Sequence, residues 1–121
     1  MGVVAWIVGL VVALGFVMTG AGKILGNAMM DASRDKFGFA DNMWKGLGGL
    51  EVLGAVGVII GLLSDNNNLE WIGFLAAIGL IITMIGALVY HAKENDPPKE
   101  MVGAAMMLIL TVVYIIAIGA R

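Results

Sequence analysis

Four long apolar stretches constrain the fold of this chain more than any other feature of its sequence. They cover residues 3–25, 46–63, 69–90 and 101–119. At a rise of about 1.5 Å per residue, each helix would span a hydrocarbon core of ~30 Å, the second one only barely. Helices satisfy their backbone hydrogen bonds internally, and no stretch alternates as a membrane-barrel strand does. The sequence therefore predicts an all-α, integral membrane bundle of four transmembrane helices within a single domain, residues 1–121.

The composition narrows the possible partners and cofactors. Of 121 residues, 60% are hydrophobic and 13% charged, which is more apolar surface than a small soluble domain can hide. With no cysteine, one histidine and no spaced His/carboxylate cluster, we expect no metal site and no covalently bound cofactor. A net charge of −2 without a basic cluster argues against nucleic acid. The lipid bilayer is the first partner that the sequence predicts.

The three connections differ in character. The first, residues 26–45, mixes charged with large apolar side chains, which predicts an amphipathic segment at the interface and a short helix broken at Gly38. The second, residues 64–68, is typical of a tight polar turn. The third, residues 92–100, contains Asp96-Pro97-Pro98, which ends the third helix. Such short connections make consecutive helices antiparallel neighbours.

The basic residues are divided unevenly between the two sides of the predicted bundle. The side with the first and third connections carries six of them: Lys23, Arg34, Lys36, Lys45, Lys93 and Lys99. The other side carries only Arg121. The positive-inside rule then predicts a multi-pass protein of the plasma membrane, with loops 26–45 and 92–100 cytoplasmic and both termini outside.

Three ionisable side chains are predicted to lie inside the bundle. Glu51 is six residues past Lys45, or about 9 Å into its helix, where an unpaired carboxylate costs a few kcal/mol. The antiparallel order brings Lys23, Glu51 and His91 to the same leaflet. We therefore expect a buried polar cluster in which Glu51 pairs with His91 or Lys23, and which could serve as a proton or quinone site.

Each of these residues also has a structural interpretation. Lys23 could be an anchor that reaches the headgroups, and His91 a satisfied interfacial residue. Glu51 could belong to an ion pair that only fixes helix packing. Small residues on the inward stripes are predicted to let the helices approach closely; they are Gly54, Gly57, Gly61, Gly73, Ala77 and Ala87.

Four segments resemble motifs of one known family, the DoxX-like membrane proteins. They are GAGKILG at residues 20–26, FGF at 37–39, GGLEVLGAVG at 48–57 and MIGALVYH at 84–91. The resemblance implies a four-helix membrane protein in which Lys23, Glu51 and His91 match the family's polar positions. Members of the family are linked to quinone oxidoreductases, to redox or detoxification complexes and, in animals, to receptor assembly.

Three functions follow from this resemblance and from the residues. The first is an accessory or assembly subunit of a larger membrane complex, without catalytic activity of its own, that docks on another membrane protein or on a second copy. The second is a membrane subunit of a quinone-linked oxidoreductase, with quinone as its non-covalent cofactor. The third is a small transporter or lipid-binding module.

Overall fold

The chain forms five α-helices in the residues that a computed structural model describes, 1–64 and 68–121. They are α1 (Gly2–Leu25), α2 (Ala28–Phe37), α3 (Asp41–Leu63), α4 (Glu70–Lys93) and α5 (Pro98–Ala120). All but α2 are long and apolar enough to cross a membrane, so the prediction of an all-α bundle with four transmembrane helices is confirmed. The polar turn predicted at residues 64–68 centres on residues 65–67, which lie outside the described part.

The four long helices surround a common axis. α1 packs against α3 and α5, and α4 packs against the same two helices, so α1 and α4 lie opposite each other. Many large apolar side chains remain exposed on the outer faces, as a lipid environment requires. We call the end with α2 and the α4–α5 turn the loop end. The opposite end, with residues 1 and 121, is the terminal end.

The short helix α2 occupies the first connection, as its sequence predicts. The side chain of Asn27 accepts a hydrogen bond from the Met30 amide at 2.9 Å and caps the beginning of the helix. Gly38, with a φ of 77°, ends it in the left-handed conformation that favours glycine. The predicted break at Gly38 is therefore confirmed.

Helix α3 begins at Asp41, five residues before the predicted position, Gly46. Residues 41–45 were predicted to belong to the amphipathic first connection, but they form the first turns of the helix. Asp41 lies in the first turn, where a negative charge favours the helix dipole, and its carboxylate is 3.1 Å from the Lys45 ammonium one turn later. The ion pair between Asp41 and Lys45 thus stabilises helical turns that precede the apolar segment of α3.

The terminal end is closely packed. A Cβ on Gly61 would lie 2.6 Å from the Cα of Gly73, so α3 and α4 touch there through backbone atoms. Tyr114 is fully buried and donates its hydroxyl to the Val58 carbonyl at 2.8 Å. Arg121 donates to the carbonyl oxygens of Gly61 and Leu62, at 2.7 and 3.1 Å. This interior is filled, and the polar groups named here have partners.

The other small residues predicted at helix contacts lie inside or along the same core. Cβ atoms at Gly54 and Gly57 would meet Leu80 and Ala76 at 2.6 and 2.5 Å, which places both glycines in the α3–α4 contact. Ala77 is fully buried, and Ala87 is partly buried against the core.

Candidate functional site

The loop end of the bundle contains a cavity of about 950 Å³. All five helices contribute to its walls, which are mainly apolar and include the aromatic and methionine side chains of Phe16, Phe37, Trp44, Tyr90, Met30 and Met107. Polar groups are gathered in two places. Thr19, Lys23 and Glu51 lie on the α1–α3 side, which we call the floor, and His91 and Glu100 lie near the α4–α5 turn, which we call the rim. The cavity is therefore amphipathic.

Glycines explain why this space stays open. Gly46, Gly86 and Gly103 all line the cavity, and a Cβ built on any of them would have no neighbouring atom within 4 Å. Gly46 and Gly103 are also exposed on the outside of the bundle. The walls are therefore thin at these positions, where the interior of the cavity is close to the surrounding lipid.

The floor is built around Glu51, which is only 1% exposed. One oxygen, Oε1, lies 2.7 Å from the Lys23 ammonium, and the other accepts the Thr19 hydroxyl at 2.7 Å. Of the two partners expected for Glu51, the structure places Lys23 in contact with it. Because the two charges cancel and both carboxylate oxygens are hydrogen-bonded, the floor can be buried at moderate cost.

His91 lines the same cavity but belongs to a different polar group, so the three-residue cluster is divided. Its Nδ1 lies 2.6 Å from Oδ2 of Asp96, five residues later in the α4–α5 turn. Asp96 also accepts hydrogen bonds from the Lys36 ammonium of α2, at 2.8 and 2.9 Å. The expectation that His91 could pair with Glu51 is therefore corrected: the turn brings a nearer carboxylate to the imidazole.

The ion pair at the rim ties α2 to the α4–α5 turn. The hydrogen bond from Lys36, and then that from His91, holds the pKa of the Asp96 carboxyl below its ordinary value. The hydrogen bond to Asp96 in turn raises the pKa of the Lys36 ammonium. Phe37 adds an apolar contact, its ring meeting the His91 ring edge to face at 5.2 Å. The helix α2 is thus fixed across the mouth of the cavity at neutral pH.

The rim also contains a group of side chains that could hold a metal ion, although the sequence suggested none. His91, Asp96 and Glu100 place one ligand atom each within 4.8 Å of one another. Their spacing along the chain did not reveal this, since the turn at residues 94–97 brings them together. The Lys36 ammonium lies 2.8 Å from Asp96 and 3.3 Å from Glu100, and so already supplies the positive charge that these carboxylates need.

Trp44 is a cavity residue that the sequence did not single out as a candidate site residue. It is 4% exposed, its ring lies 5.0 Å from the Lys23 ammonium, and its indole N–H has no hydrogen-bond partner among the residues that the structure describes. A buried donor without an acceptor costs about 1–3 kcal/mol. Its spacing of seven residues from Glu51 places both on one face of α3, which is a signal that the sequence did contain.

Comparisons with known proteins give one match. The family model described as the DoxX-like family matches residues 7–114, nearly the whole chain. No curated protein and no solved structure matches the sequence.

Proposed function

The chain belongs to the DoxX-like family, and on this premise we propose that it is an accessory subunit of a larger membrane complex that holds a lipid-soluble quinone in its loop-end cavity. The observation that carries the proposal is the cavity itself. Its volume of about 950 Å³ lies in the range of ~300–1,000 Å³ found for small-molecule sites, which are typically apolar with a few convergent polar groups.

The chemistry of the walls suits the two parts of a quinone. A flat ring can pack among Phe37, Trp44 and Tyr90, which line one cavity. An isoprenoid tail can reach the bilayer where the walls are thin, at Gly46 and Gly103. The Lys23 ammonium has N–H groups beyond the one bonded to Glu51, and the carbonyl oxygens of a quinone can accept from such donors.

In this proposal the chain binds and orients the quinone, and a partner exchanges electrons with it. The sequence contains no cysteine with which to hold an iron–sulfur cluster. His91 is the residue placed to exchange protons, because it touches the cavity on one side and bonds to Asp96 in the turn on the other. Glu51, with both oxygens hydrogen-bonded, keeps the floor in place.

The partner and the orientation are part of the same proposal. The partner is another membrane protein or a second copy of this chain, which would dock on the apolar outer faces of the bundle. The loop end faces the cytoplasm, an orientation supported by the six basic residues there against Arg121 at the terminal end.

Tryptophan fluorescence tests whether the cavity binds quinone. Replacing Trp6 and Trp71 with Phe leaves Trp44 as the only tryptophan. This variant would be placed in nanodiscs and titrated with a ubiquinone that carries a decyl tail. We expect saturable quenching, because the ring would lie beside Trp44. Quenching that rises linearly with quinone in the lipid would contradict the proposal.

Two matched glycine variants locate the binding. Both variants are made in the Trp44-only protein. Gly86→Leu adds a side chain that fills the cavity, whereas Gly79→Leu adds the same side chain about two turns earlier on the same face of α4, outside the cavity. Both positions have open space at Cβ, so both variants should fold. We expect Gly86→Leu to abolish the saturable phase and Gly79→Leu to preserve it. Equal effects of the two would count against this cavity.

A further inference from the structure

A groove of about 420 Å³ lies on the outer face of the bundle, between residues 50–57 of α3 and residues 72–83 of α4. We call it the α3–α4 groove. Its bottom lies where Gly54 and Gly57 bring the two helices close together, and exposed leucine side chains form its edges. Because these edges are exposed, the groove opens towards the surrounding lipid.

The groove offers a ligand almost only apolar contact. None of the described residues that line it is charged, and Thr83 is the only one of them with a polar side chain. Its hydroxyl donates to the Gly79 carbonyl oxygen on the same helix, at 2.9 Å. A polar head group in the groove would give up its solvation without finding a charge to pair with, which is unfavourable. The lining therefore suits a hydrocarbon chain.

The groove adjoins the loop-end cavity. Leu50 of α3 and Thr83 of α4 line both spaces, so the junction lies between them. Gly46, where the cavity wall is thin, precedes Leu50 by one turn on the same face of α3. From the junction the groove extends along α4 to Ile72, a distance of about 16 Å at the helical rise. A chain that leaves the cavity at this junction therefore enters the groove directly.

We infer that the α3–α4 groove holds the hydrocarbon tail of the quinone whose ring occupies the cavity. This inference rests on the proposed quinone site and specifies where its tail lies. The acyl chains of free lipid are as apolar as the groove, so they gain little by entering it. The quinone tail is tethered through its ring, which raises its effective concentration at the groove. Bound quinone should therefore displace lipid chains from the groove.

Two photoreactive chains test the position of the tail. One is a ubiquinone whose tail of four isoprenoid units carries a diazirine at its end, and the other is a phosphatidylcholine with a diazirine in one acyl chain. Each is irradiated with the protein in nanodiscs, and the labelled residues are identified by mass spectrometry. We expect the quinone probe to label groove residues such as Leu53 and Leu75, and excess unlabelled ubiquinone to remove these labels. Labelling of the groove by the phosphatidylcholine should fall as the quinone site fills.

Matched leucine variants separate the tail from the ring. In the Trp44-only protein, Gly79→Leu places a side chain in the groove, and Gly49→Leu places the same side chain on α3 outside both spaces. Both Cβ positions are open, so both variants should fold. We expect Gly79→Leu to lose the groove labels while the quenching of Trp44 by the decyl ubiquinone stays saturable. Gly49→Leu should leave the labels and the quenching unchanged.

The two readouts separate this inference from the proposed function. If the quenching of Trp44 does not saturate, the quinone site is wrong and the position of the tail is wrong with it. If the quenching saturates but the tail labels α5 near Gly103, or labels all outer faces evenly, the quinone site stands and the groove is overturned. Groove labels that persist in Gly79→Leu would also overturn it.

A second copy of the chain is the competing occupant of the groove. The sequence has no cysteine, so Leu75→Cys places a single thiol at the groove, and Leu14→Cys places one on the exposed face of α1 as a control. A short bismaleimide is added to each variant in vesicles. We expect equally little covalent dimer from both. Efficient dimer formation through Leu75→Cys alone would assign the groove to a second copy and overturn the inference.

Discussion

The two ends of this bundle are made from the same four helices, yet they differ in where some glycines and polar groups lie. At the terminal end, Gly61 and Gly73 bring two backbones into contact, and the Tyr114 hydroxyl reaches a carbonyl oxygen. At the loop end, Gly86 and Gly103 face open space, and the Trp44 indole has no acceptor. Glycine thus makes close helix contacts at both ends, through Gly20 and Gly48 at the loop end, and it also leaves space beside the cavity at the loop end.

The difference indicates that the terminal end mainly stabilises the fold, whereas the loop end provides the binding site. Most buried polar groups in proteins have partners, and exceptions call for an explanation such as a missing ligand. At the terminal end, the Tyr114 hydroxyl and the two terminal nitrogens of Arg121 donate to backbone carbonyl oxygens. Space and an unpaired donor occur together at the loop end, which is where a binding site needs them. Four predictions test this division, in order of expected effect.

The largest effect on stability is expected for the buried ion pair between Lys23 and Glu51. Glu51→Leu leaves Lys23 without its carboxylate, and breaking a buried pair in this way costs about 3–5 kcal/mol. Unfolding in mixed micelles with increasing SDS would measure the loss. The double variant Lys23→Met/Glu51→Leu should recover most of it, because no unpaired charge remains. A double variant as unstable as the single one would contradict this account of the floor.

Matched alanine substitutions compare the glycines of the two ends directly. Gly61→Ala forces a methyl group against Gly73 and should destabilise the protein by about 1–3 kcal/mol. Gly86→Ala meets no atom and gains helix propensity, so it should be neutral or stabilising by up to ~1 kcal/mol. The same SDS titration measures both. Equal losses would show that the loop end is as closely packed as the terminal end.

A smaller effect is expected for the polar group that closes the terminal end. Tyr114→Phe removes the hydrogen bond to Val58 and should cost about 1 kcal/mol. Quinone binding should not change, because Tyr114 does not line the cavity. Thermal unfolding and calorimetry on one preparation would check both statements. If Tyr114→Phe lost quinone binding without losing stability, binding at the loop end would depend on the terminal end, and the separation of the two roles would be wrong.

The smallest effect concerns pH and the position of α2. Lys36 of α2 and His91 of α4 hold the pKa of Asp96 below its ordinary value of about 3.9, and Glu100 of α5 lies beside them. A lowered carboxyl pKa stabilises the folded state fully above that ordinary value and ceases to do so as the pH falls through the lowered pKa. Between pH 7 and pH 5 α2 should therefore stay fixed, and below about pH 4 it should loosen.

Spin labels can follow this motion, since the sequence has no native cysteine. Labels at Ala32→Cys and Glu94→Cys, both at exposed positions, report the distance from α2 to the turn. The distance distribution should be narrow at pH 7 and broaden below about pH 4. In Lys36→Met it should already be broad at pH 7. A distribution at pH 7 that is as narrow in Lys36→Met as with Lys36 in place would show that this ion pair does not hold α2.

How much the sequence could predict depends on how local each feature is. The four long helices follow from apolar length, and the end of α2 follows from Gly38, so both could be read directly. The contact of Glu51 with Lys23 follows from burial and antiparallel order, but the choice between two partners does not. The bond from His91 to Asp96 depends on the path of a turn. The cavity depends on glycines, which have no side chain to fill it. A local sequence pattern does not show where such space will open.

Photo-crosslinking with a ubiquinone that carries an azide on its ring would show whether a quinone occupies the loop-end cavity. The protein in nanodiscs would be irradiated with this probe, with and without excess unlabelled quinone, and the modified residues identified by mass spectrometry. The account predicts competable labels on cavity residues of the loop end, such as Met30, Trp44 and Met107. Labels spread evenly over the lipid-facing surface, or concentrated near Tyr114 and insensitive to competition, would contradict it.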